Sequence, residues 1–489
     1  MSKIDLSIHP EVLKNSIRIA RERGIIIPTF AQMKDPSLIP HQMISDLSKV
    51  GLWDVNPRNL FRISWKNKPV TSGGAFGSVN YFELPKSLTG VDARILVLVG
   101  KWFPTGAHKV GATFGCLVPR LVTGQFDPQN QKAVWPSTGN YCRGGAYNSA
   151  LLGCNSIAIL PEGMSQERFE WLKTVAGEII ATPGSESNVK EIFDKCWELR
   201  ASGQNLMIFN QFDEFGNYLW HYDITGHAMQ EVIERELHSG GDFRGMTVTT
   251  GSAGTIACGD YLKQHYPACK IGAGEALQCP TMLENGFGAH RIEGIGDKHI
   301  PWVHNVKNTD FITAIDDEAV VSLSRLFNEK SGKMYLTKQG VPEMIVSQLD
   351  LLGFSGIANL LSAIKMAKYY EMGDEDIIIT VLTDSMQLYQ SRLKEMHVEF
   401  GEYQQTDAAA HFAQYLKGTD TANTMELSYE QRRRVHNLKY YTWVEQQGRT
   451  YEELNEQWYD KNYWTDMQSQ IPEIDALITE FNQQVGLLK

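Results

Sequence analysis

A lysine in a turn of small residues constrains the fold of this chain more than any other feature. The turn, Thr105-Gly106-Ala107-His108-Lys109-Val110-Gly111, follows residues 94–100 (RILVLVG), a run typical of a buried parallel strand. Residues 107–121 show a helical pattern with glycine and other small residues on the turn side. The segment therefore predicts a strand, a turn and a helix of an α/β fold, with Lys109 at the start of the helix.

The position of Lys109 favours an uncharged amine. The helix macrodipole and the free N–H groups of a first helical turn disfavour an ammonium ion, and burial lowers the pKa of a lysine further. A neutral amine attacks aldehydes, which is the Schiff-base chemistry of pyridoxal phosphate enzymes. On this segment alone, a solvated surface lysine is the more common interpretation.

A turn rich in hydroxyl groups follows the second strand-like run, residues 131–136 (QKAVWP). Ser137-Thr138-Gly139-Asn140 forms this turn, and a helix is predicted from Tyr141 onwards. Hydroxyl groups together with the N–H groups of a helix N-terminus suit a carboxylate. The segment is therefore a candidate carboxylate site.

Two further strand-like runs also end in small or hydroxyl-bearing residues. Residues 245–250 (GMTVTT) lead into Gly251-Ser252-Ala253-Gly254-Thr255, where small residues let successive backbone N–H groups converge on a phosphate. Residues 377–382 (IIITVL) end in Thr383-Asp384-Ser385. Each turn is common by itself in α/β proteins. A chain much less often has, at four strand ends and in this order, a lysine, a carboxylate cradle, a phosphate cradle and a hydroxyl group.

The order and the amino-acid sequences of these segments resemble those of the fold-type II pyridoxal phosphate enzymes, which include cysteine synthase, cystathionine β-synthase and the tryptophan synthase β chain. Gly106-Ala107-His108-Lys109 is similar to the lysine motif of the tryptophan synthase β chain, and residues 137–140 resemble the substrate loop of cysteine synthase. The resemblance covers roughly residues 70–395. Its other segments are residues 150–180, 225–226, 251–255, 290–296, 353–356 and 381–385.

The resemblance implies an α/β fold of two domains, with mainly parallel sheets flanked by helices. A large cofactor-binding domain would comprise residues 61–101 and 216–400, and a small domain of residues 102–215 would be inserted into it. Residues 1–60 would form an N-terminal extension. Residues 401–489 predict a helical C-terminal extension rich in tyrosine and tryptophan, most simply a cover for the core or a subunit interface.

The resemblance also implies a role for each candidate residue and names pyridoxal 5′-phosphate as the cofactor. Lys109 would carry the cofactor as an imine and, once displaced, would remove the α-proton of the substrate. Asn140 would hydrogen-bond the phenolic oxygen of the cofactor. The remaining residues would bind the phosphate (Gly251, Ser252, Ala253, Gly254, Thr255 and, as an extra contact, His108), the pyridine nitrogen (Ser385) and the substrate (Ser137, Thr138, Tyr141, Gln211).

The expected activity follows from these roles. A neutral hydroxyl at Ser385 cannot keep the pyridine nitrogen protonated as an aspartate would, and this favours α,β-elimination. The expected reaction is β-replacement or β-elimination on an L-amino acid of the serine, activated-serine or cysteine type, through an aminoacrylate intermediate. A serine/threonine dehydratase or threonine synthase remains an alternative, as does a non-catalytic regulatory subunit of the same fold.

Three positions depart from the family pattern. Tyr141 stands where a threonine is usual, and Ala253 replaces a glycine, so the carboxylate and phosphate pockets differ in shape from those of the family. Arg143 is not the expected continuation of the hydroxyl turn. We expect Arg143 to lie on a solvated helix face, the alternative being a contact with an anionic group of the substrate.

Composition limits the partners and the compartment. The chain has 46 basic and 57 acidic side chains, a net charge of −11, which argues against nucleic-acid and anionic-membrane partners. No apolar run reaches the length of a membrane span, and the seven cysteines are scattered, so we expect reduced thiols in the cytoplasm. The expected partners are a small-molecule amino acid and a second copy of the chain. No metal site is expected, although His290, Glu293, Asp297 and His299 have suitable chemistry.

Overall fold

The computed structural model describes residues 3–69, 74, 76–184, 188–238, 240–296 and 298–488. In these ranges the strands are β1 (Tyr81–Leu84), β2 (Arg94–Val99), β3 (Lys132–Pro136), β4 (Asn155–Pro161), β5 (Glu178–Thr182), β6 (Leu206–Ile208), β7 (Asp242–Thr249), β8 (Lys270–Ala276), β9 (Phe311–Ile315), β10 (Asp376–Leu382) and β11 (Thr424–Glu426). The helices of the N-terminal half are α1 (Pro10–Arg23), α2 (Phe30–Lys34), α3 (His41–Leu47), α4 (Lys86–Thr89), α5 (Lys109–Val122), α6 (Asn140–Leu151), α7 (Gln166–Val175), α8 (Val189–Ala201), α9 (Phe215–Trp220) and α10 (Gly226–Leu237). Those of the C-terminal half are α11 (Ala257–His265), α12 (Thr281–Glu284), α13 (Asp317–Asn328), α14 (Lys330–Lys338), α15 (Glu343–Val346), α16 (Phe354–Tyr369), α17 (Gln390–Phe400), α18 (Gln405–His411), α19 (Tyr429–Asn437), α20 (Tyr451–Tyr459), α21 (Tyr463–Gln468) and α22 (Ile471–Val485).

Two sheets organise these elements. The larger sheet has the strand order β1-β2-β10-β7-β8-β9-β11, in which β2, β10, β7, β8 and β9 run parallel and the two edge strands run antiparallel. The smaller sheet has the order β5-β4-β3-β6 and is parallel throughout. Because parallel strands are covered by helices on both faces, their side chains are buried in continuous apolar runs, as in β2 and β10. The predicted α/β class with parallel sheets is confirmed.

The smaller sheet interrupts the larger one in sequence. All of its strands fall between β2 and β7, which belong to the larger sheet. This topology is that of an inserted unit, and it lies inside the range predicted for the small domain. The exact domain boundaries stay a prediction.

The four strand-turn segments singled out in the sequence form as expected. The strands β2, β3, β7 and β10 end at Val99, Pro136, Thr249 and Leu382. Helix α5 begins at Lys109, two residues later than predicted, because Thr105 and Gly106 adopt left-handed φ angles of 71° and 72° and reverse the chain. The lysine therefore stands at the first position of its helix.

The C-terminal extension packs into the body of the protein. The fully buried ammonium group of Lys439 donates hydrogen bonds to the backbone oxygens of Trp302 (2.9 Å) and His304 (2.7 Å) and to Oε1 of Gln457 (2.7 Å). At its far end, the side chain of Asn482 in α22 pairs with both backbone groups of Ile27. The extension is helical, as predicted, and it covers the core. Strand β11, which extends the larger sheet beside β9, was not predicted because three residues carry no periodic pattern.

Candidate active site

A cleft lies where the carboxyl ends of β3, β7 and β10 face one another. The residues that line it are Lys109, Ser137, Thr138, Asn140, Tyr141, Gln211, Phe212, Gly251, Ser252, Gly294, Ile295, Gly296 and Thr383. Ligands bind at this edge of open parallel sheets because loops diverge there and helix N-termini point at the same space. The cleft brings together the predicted lysine, the hydroxyl turn, Gln211 and the beginning of the glycine turn.

The amine of Lys109 contacts the glycine turn directly. Its Nζ donates a hydrogen bond to Oγ of Ser252 at 2.7 Å. The same oxygen accepts hydrogen bonds from Nδ2 of Asn217 at 3.1 Å and from the backbone N–H of Gly254 at 3.4 Å. Segments that are about 140 residues apart in the sequence therefore meet at one hydroxyl group.

The two glycines of the glycine turn, residues 251–255, lie very close to neighbouring atoms. A Cβ on Gly254 would lie 2.0 Å from Oδ1 of Asn217, and a Cβ on Gly251 would lie 3.2 Å from the backbone oxygen of Gly294. Ala253 has a φ of 57°, so the turn holds a left-handed residue just before α11. Such a turn presents N–H groups instead of side chains, which is what a phosphate group requires. Ala253, Gly254 and Thr255 are not among the residues that line the cleft, and their contact with a phosphate stays a prediction.

The hydroxyl turn, residues 137–140, is fixed by its own hydrogen bonds. Oγ of Ser137 accepts a hydrogen bond from the N–H of Gly139 at 3.0 Å, and the backbone oxygen of Thr138 accepts one from Nη1 of Arg168 at 3.1 Å. Helix α6 begins at Asn140, so its first N–H groups face the same cleft. The turn has the donors that a carboxylate needs.

Tyr141 and Gln211 line the cleft, and each has a hydrogen-bond contact with a neighbouring residue. The Tyr141 hydroxyl lies 3.4 Å from Sγ of Cys116, and its ring packs edge-on against Trp135. Burial raises the pKa of Tyr141 well above its usual value, which keeps the hydroxyl protonated. The backbone oxygen of Gln211 accepts a hydrogen bond from Nδ2 of Asn217. The substrate contacts assigned to these two residues stay predictions.

Two predicted cofactor contacts lie beside the cleft and not in its lining. The ring of His108 packs against Trp65 and His221, with centroid distances of 5.6 and 4.8 Å, and neither ring nitrogen has a hydrogen-bond partner among the described residues. Burial lowers the pKa of His108 well below its usual value, so the ring is neutral. Ser385 is buried in the turn after β10. The phosphate contact of His108 and the pyridine contact of Ser385 remain predictions.

The structure places a group of buried charges behind the hydroxyl turn that the sequence did not reveal. Arg168, whose side chain is fully buried, forms an ion pair with Glu293 at 2.8 Å and donates to the Tyr389 hydroxyl at 2.9 Å. Oδ2 of Asp384 accepts hydrogen bonds from Nδ2 of Asn140 at 2.5 Å and from the Tyr389 hydroxyl at 2.6 Å. Arg168 lies in a helix whose sequence, QERFEWLKTV, is mostly polar, so periodicity gave no signal that its side chain is buried.

The expectation that Arg143 is solvated is wrong. Its side chain is 1% exposed, and its guanidinium carbon lies 4.7 Å from the ring centre of Trp171 and 5.4 Å from that of Trp53. Burial lowers the pKa of Arg143 to about 10. Cation–π contacts replace hydration at this position, and Arg143 does not line the cleft.

The candidate metal set does not converge in the described part of the chain. Within those residues, no three histidine, cysteine, aspartate or glutamate side chains gather as metal ligands would. Asp297, one member of the candidate set, lies outside the described residues. The described ranges also hold no helix with the length and apolar character needed to cross a bilayer.

Comparison with known proteins identifies the class of this fold and site. The family of pyridoxal-phosphate dependent enzymes matches residues 84–335, just over half of the chain. A cysteine synthase of Staphylococcus aureus is 29% identical over 259 residues, which are 53% of this chain and 75% of the relative. Cystathionine β-synthase of Saccharomyces cerevisiae is 26% identical over 316 residues, which are 63% of this chain and 59% of the relative.

Solved structures show the same fold. An O-acetylserine-dependent cystathionine β-synthase from Helicobacter pylori aligns with a TM-score of 0.53 and 23% identity, covering 64% of this chain and 95% of that one. A hydrogen sulfide-producing enzyme from Fusobacterium nucleatum aligns with a TM-score of 0.53 and 21% identity, covering 64% of this chain and 97% of that one. This chain belongs to the family of pyridoxal-phosphate dependent enzymes, as the sequence predicted.

The residues of the cleft fit the cofactor of this family, pyridoxal 5′-phosphate. A lysine amine for its aldehyde lies 2.7 Å from Ser252, in a glycine turn that excludes a Cβ at residue 254. Asn140 lines the same cleft, and its Nδ2 carries a second N–H besides the one that it donates to Asp384. The aldehyde, the phosphate and the phenolic oxygen of the cofactor each find a suitable group.

Proposed function

We propose that this enzyme catalyses β-replacement or β-elimination on an L-amino acid of the serine, activated-serine or cysteine type. The observation that carries the proposal is the contact of Lys109 with Ser252, because it joins a nucleophilic amine to a phosphate-type turn in a cleft that also holds the hydroxyl turn. The relatives support the substrate class, since they include cysteine synthases and cystathionine β-synthases.

The residues of the cleft divide into three tasks. The glycine turn, led by Gly251 and Ser252, would bind the cofactor phosphate through backbone N–H groups. The bound cofactor would supply an aldehyde for amines and a ring that withdraws electrons from the α-carbon. Ser137 and Thr138, with the N-terminus of α6, would hold the substrate carboxylate. The substrate α-carbon would then lie near Nζ of Lys109.

Lys109 is the only group of the cleft that we assign to proton transfer. With a substrate bound, Nζ of Lys109 would accept the α-proton and would return a proton to the leaving group. The lining has little other basic chemistry: apart from Lys109, it consists of hydroxyl-bearing, amide, aromatic, apolar and glycine residues. A single base suffices for elimination across the α- and β-carbons.

The direct test is a substrate panel. Purified protein loaded with pyridoxal phosphate is mixed with L-serine, O-acetyl-L-serine, L-cysteine and L-threonine, with and without sulfide, and the amino-acid and keto-acid products are identified. The proposal expects a β-substituted product or sulfide release from the serine or cysteine group. Conversion of L-threonine to 2-oxobutyrate alone would point to a dehydratase. A protein that does not exchange the α-proton of any member would be a non-catalytic relative.

The proposal extends to assembly and compartment. We propose a homodimer, supported by the strongly exposed tyrosines Tyr441, Tyr451 and Tyr459 of the C-terminal extension, since aromatic side chains are enriched at interfaces. We also propose a cytoplasmic location, supported by seven buried cysteines that form no disulfide in the part of the chain that the structure describes. Light scattering coupled to size-exclusion chromatography tests the first, and a mass twice that of the 55.1 kDa chain is expected.

A further inference from the structure

A closed ring of hydrogen bonds runs behind the hydroxyl turn. Arg168 donates from Nη1 to the backbone oxygen of Thr138 (3.1 Å) and from Nη2 to the hydroxyl of Tyr389 (2.9 Å). Tyr389 donates to Oδ2 of Asp384 (2.6 Å), and the same oxygen accepts from Nδ2 of Asn140 (2.5 Å). The backbone from residue 138 to residue 140 completes the circuit, which we call the Asp384 ring. Two residues of the cleft are therefore held by one network.

The Asp384 ring joins the two sheets. Arg168 lies in α7 beside the smaller sheet, whereas Asp384 and Tyr389 follow β10 of the larger sheet. All three side chains are fully buried. Charges at such depth persist only when they are paired and hydrogen-bonded. Glu293 supplies the second acidic group, because it forms ion pairs with both Arg168 (2.8 Å) and Arg392 (2.5 Å).

Asp384 is wedged in its position. A Cβ on Gly353 would lie 1.9 Å from Oδ1 of Asp384, so this oxygen packs against the backbone at the N-terminus of α16. Oδ1 has no hydrogen-bond partner among the described residues, and only Oδ2 is bonded. Within the described residues, the side-chain hydrogen bonds that this buried carboxyl group accepts therefore come from Tyr389 and Asn140.

An acceptor at this position decides which end of the Asn140 amide faces the cofactor. An ionised carboxylate accepts hydrogen bonds and cannot donate them, so Asn140 must turn its NH₂ group toward Asp384. The second N–H of that nitrogen then remains for the cleft. The phenolic oxygen assigned to Asn140 is also an acceptor, and it requires this end of the amide.

We infer that Asp384 is a positioning residue for the cofactor: it sets the amide orientation of Asn140 and adds a buried negative charge one hydrogen bond away from the cofactor ring. This assignment rests on the proposed function, through the role of Asn140. Tyr389 and Arg168 hold Asp384 in turn. Burial raises the pKa of Asp384, whereas its hydrogen bonds from Tyr389 and Asn140 and the nearby guanidinium groups of Arg168 and Arg143 oppose this rise and favour the carboxylate.

The test uses the full chain with three substitutions. Asp384→Asn removes the charge at nearly constant shape, and Tyr389→Phe removes one donor to Oδ2 while it leaves the Asn140 contact in place. Asp376→Asn is the matched control, because Asp376 opens the same strand at its opposite end, where its carboxylate accepts a hydrogen bond from the N–H of Gly373 and lies 3.5 Å from Nε of Arg244. Each protein is titrated with pyridoxal phosphate, and the absorbance of the bound cofactor is followed against pH. Borohydride labelling at Lys109 is measured in parallel.

We expect the Asp384→Asn protein to be labelled at Lys109 and to bind pyridoxal phosphate at least about tenfold more weakly. The substitution replaces a charged acceptor with a neutral amide, which can turn either its oxygen or its NH₂ group toward Asn140. Removal of a nearby negative charge destabilises the protonated, yellow form of the bound cofactor, so the absorbance midpoint should fall by about one pH unit. Tyr389→Phe should weaken the affinity several-fold, and Asp376→Asn should match the wild type.

Two results would overturn the assignment while the proposed function stands. One is an Asp384→Asn protein that is labelled at Lys109 and has the wild-type affinity for pyridoxal phosphate and the wild-type absorbance midpoint. The other, decisive if Asp384→Asn does not fold, is a Tyr389→Phe protein with wild-type affinity. Absence of any label at Lys109 in the wild type would instead remove the proposed function and this assignment together.

Discussion

Gly139 and Arg168 occupy adjoining space so closely that no side chain fits between them. A Cβ on Gly139 would lie 2.3 Å from Nη1 and 2.6 Å from Cζ of Arg168. Arginine tips usually move aside at little cost, but this one is held by the backbone of Thr138, by Glu293 and by Tyr389. The hydroxyl turn and the buried guanidinium group are therefore compatible only with glycine at residue 139.

Gly139→Ala should consequently damage both stability and activity. The added methyl group must displace Arg168 and break buried, charge-assisted contacts, which we expect to lower the free energy of unfolding by about 1–3 kcal/mol. Urea denaturation measures this loss. Gly373→Ala is the control, because the nearest atom to its added Cβ is 4.0 Å away. Equal unfolding midpoints for the two variants would show that the Arg168 side chain moves aside at little cost in stability.

Thr138→Ala should weaken the binding of the amino acid and spare the cofactor. The side chain of Thr138 lines the cleft, whereas Arg168 is bound by the backbone oxygen, so the substitution leaves that contact in place. Loss of one contact to a carboxylate should cost about 1–3 kcal/mol, or roughly five- to 150-fold in substrate affinity. Thr174→Ala, at an exposed position of α7, should bind as the wild type. A fall in cofactor affinity with unchanged substrate affinity would mean that the two turns have exchanged roles.

The sequence predicted the strand-turn-helix segments because their signals are local. A β-branched run followed by small residues specifies a strand and a turn within about ten residues, as at Lys109 and at Gly251. The order of these turns along the chain then implied that they meet. In the structure, Lys109, Asn140 and Ser252 line one cleft, and their contacts with a cofactor stay predictions.

The buried charges were beyond the reach of local patterns. The sequence next to Arg168 and Arg143 does not mark them as buried, because their burial depends on partners far along the chain, such as Tyr389 and Trp53. A charged residue gives the same local signal whether it is solvated or paired inside the protein. For the same reason, the sequence directed attention to Ser385 and passed over its neighbour Asp384.

The C-terminal extension should lose stability in mild acid. His436 is buried against Trp458, and its Nε2 lies 3.1 Å from the backbone oxygen of Leu454. Burial, with the charge of Lys439, lowers the pKa of His436 to about 3, below its ordinary value of 6.5. As the pH falls from 6.5 toward 3, the unfolded chain takes up a proton that the folded chain excludes, so the folded state loses stability over this window.

His436→Gln isolates this effect, because glutamine keeps an N–H donor but does not titrate. The difference in unfolding free energy between wild type and variant should shift against the wild type by about 1.4 kcal/mol for each pH unit below 6.5. Denaturation series at several pH values between 7 and 4 measure the slope. A difference that stays constant over this range would show that His436 is protonated in the folded state.

The central claim is that Lys109 carries the cofactor and the proton transfer. Lys109→Ala removes both the imine partner and the α-proton base, yet it leaves the glycine turn at residues 251–255 in place. The variant should fold, bind pyridoxal phosphate without a covalent bond, and lose several orders of magnitude in turnover, since a nucleophile and a base that are one group cannot be replaced in part. Lys101→Ala is the control, because Lys101 lies nearby in sequence and is paired with Asp350.

Borohydride reduction followed by peptide mapping tests this claim most directly. The account predicts that reduction fixes pyridoxal phosphate irreversibly to a peptide containing Lys109 in the wild type and in Lys101→Ala, and to no peptide in Lys109→Ala. Attachment of the reduced cofactor to another lysine of the wild type, or near-normal turnover in Lys109→Ala, would contradict it.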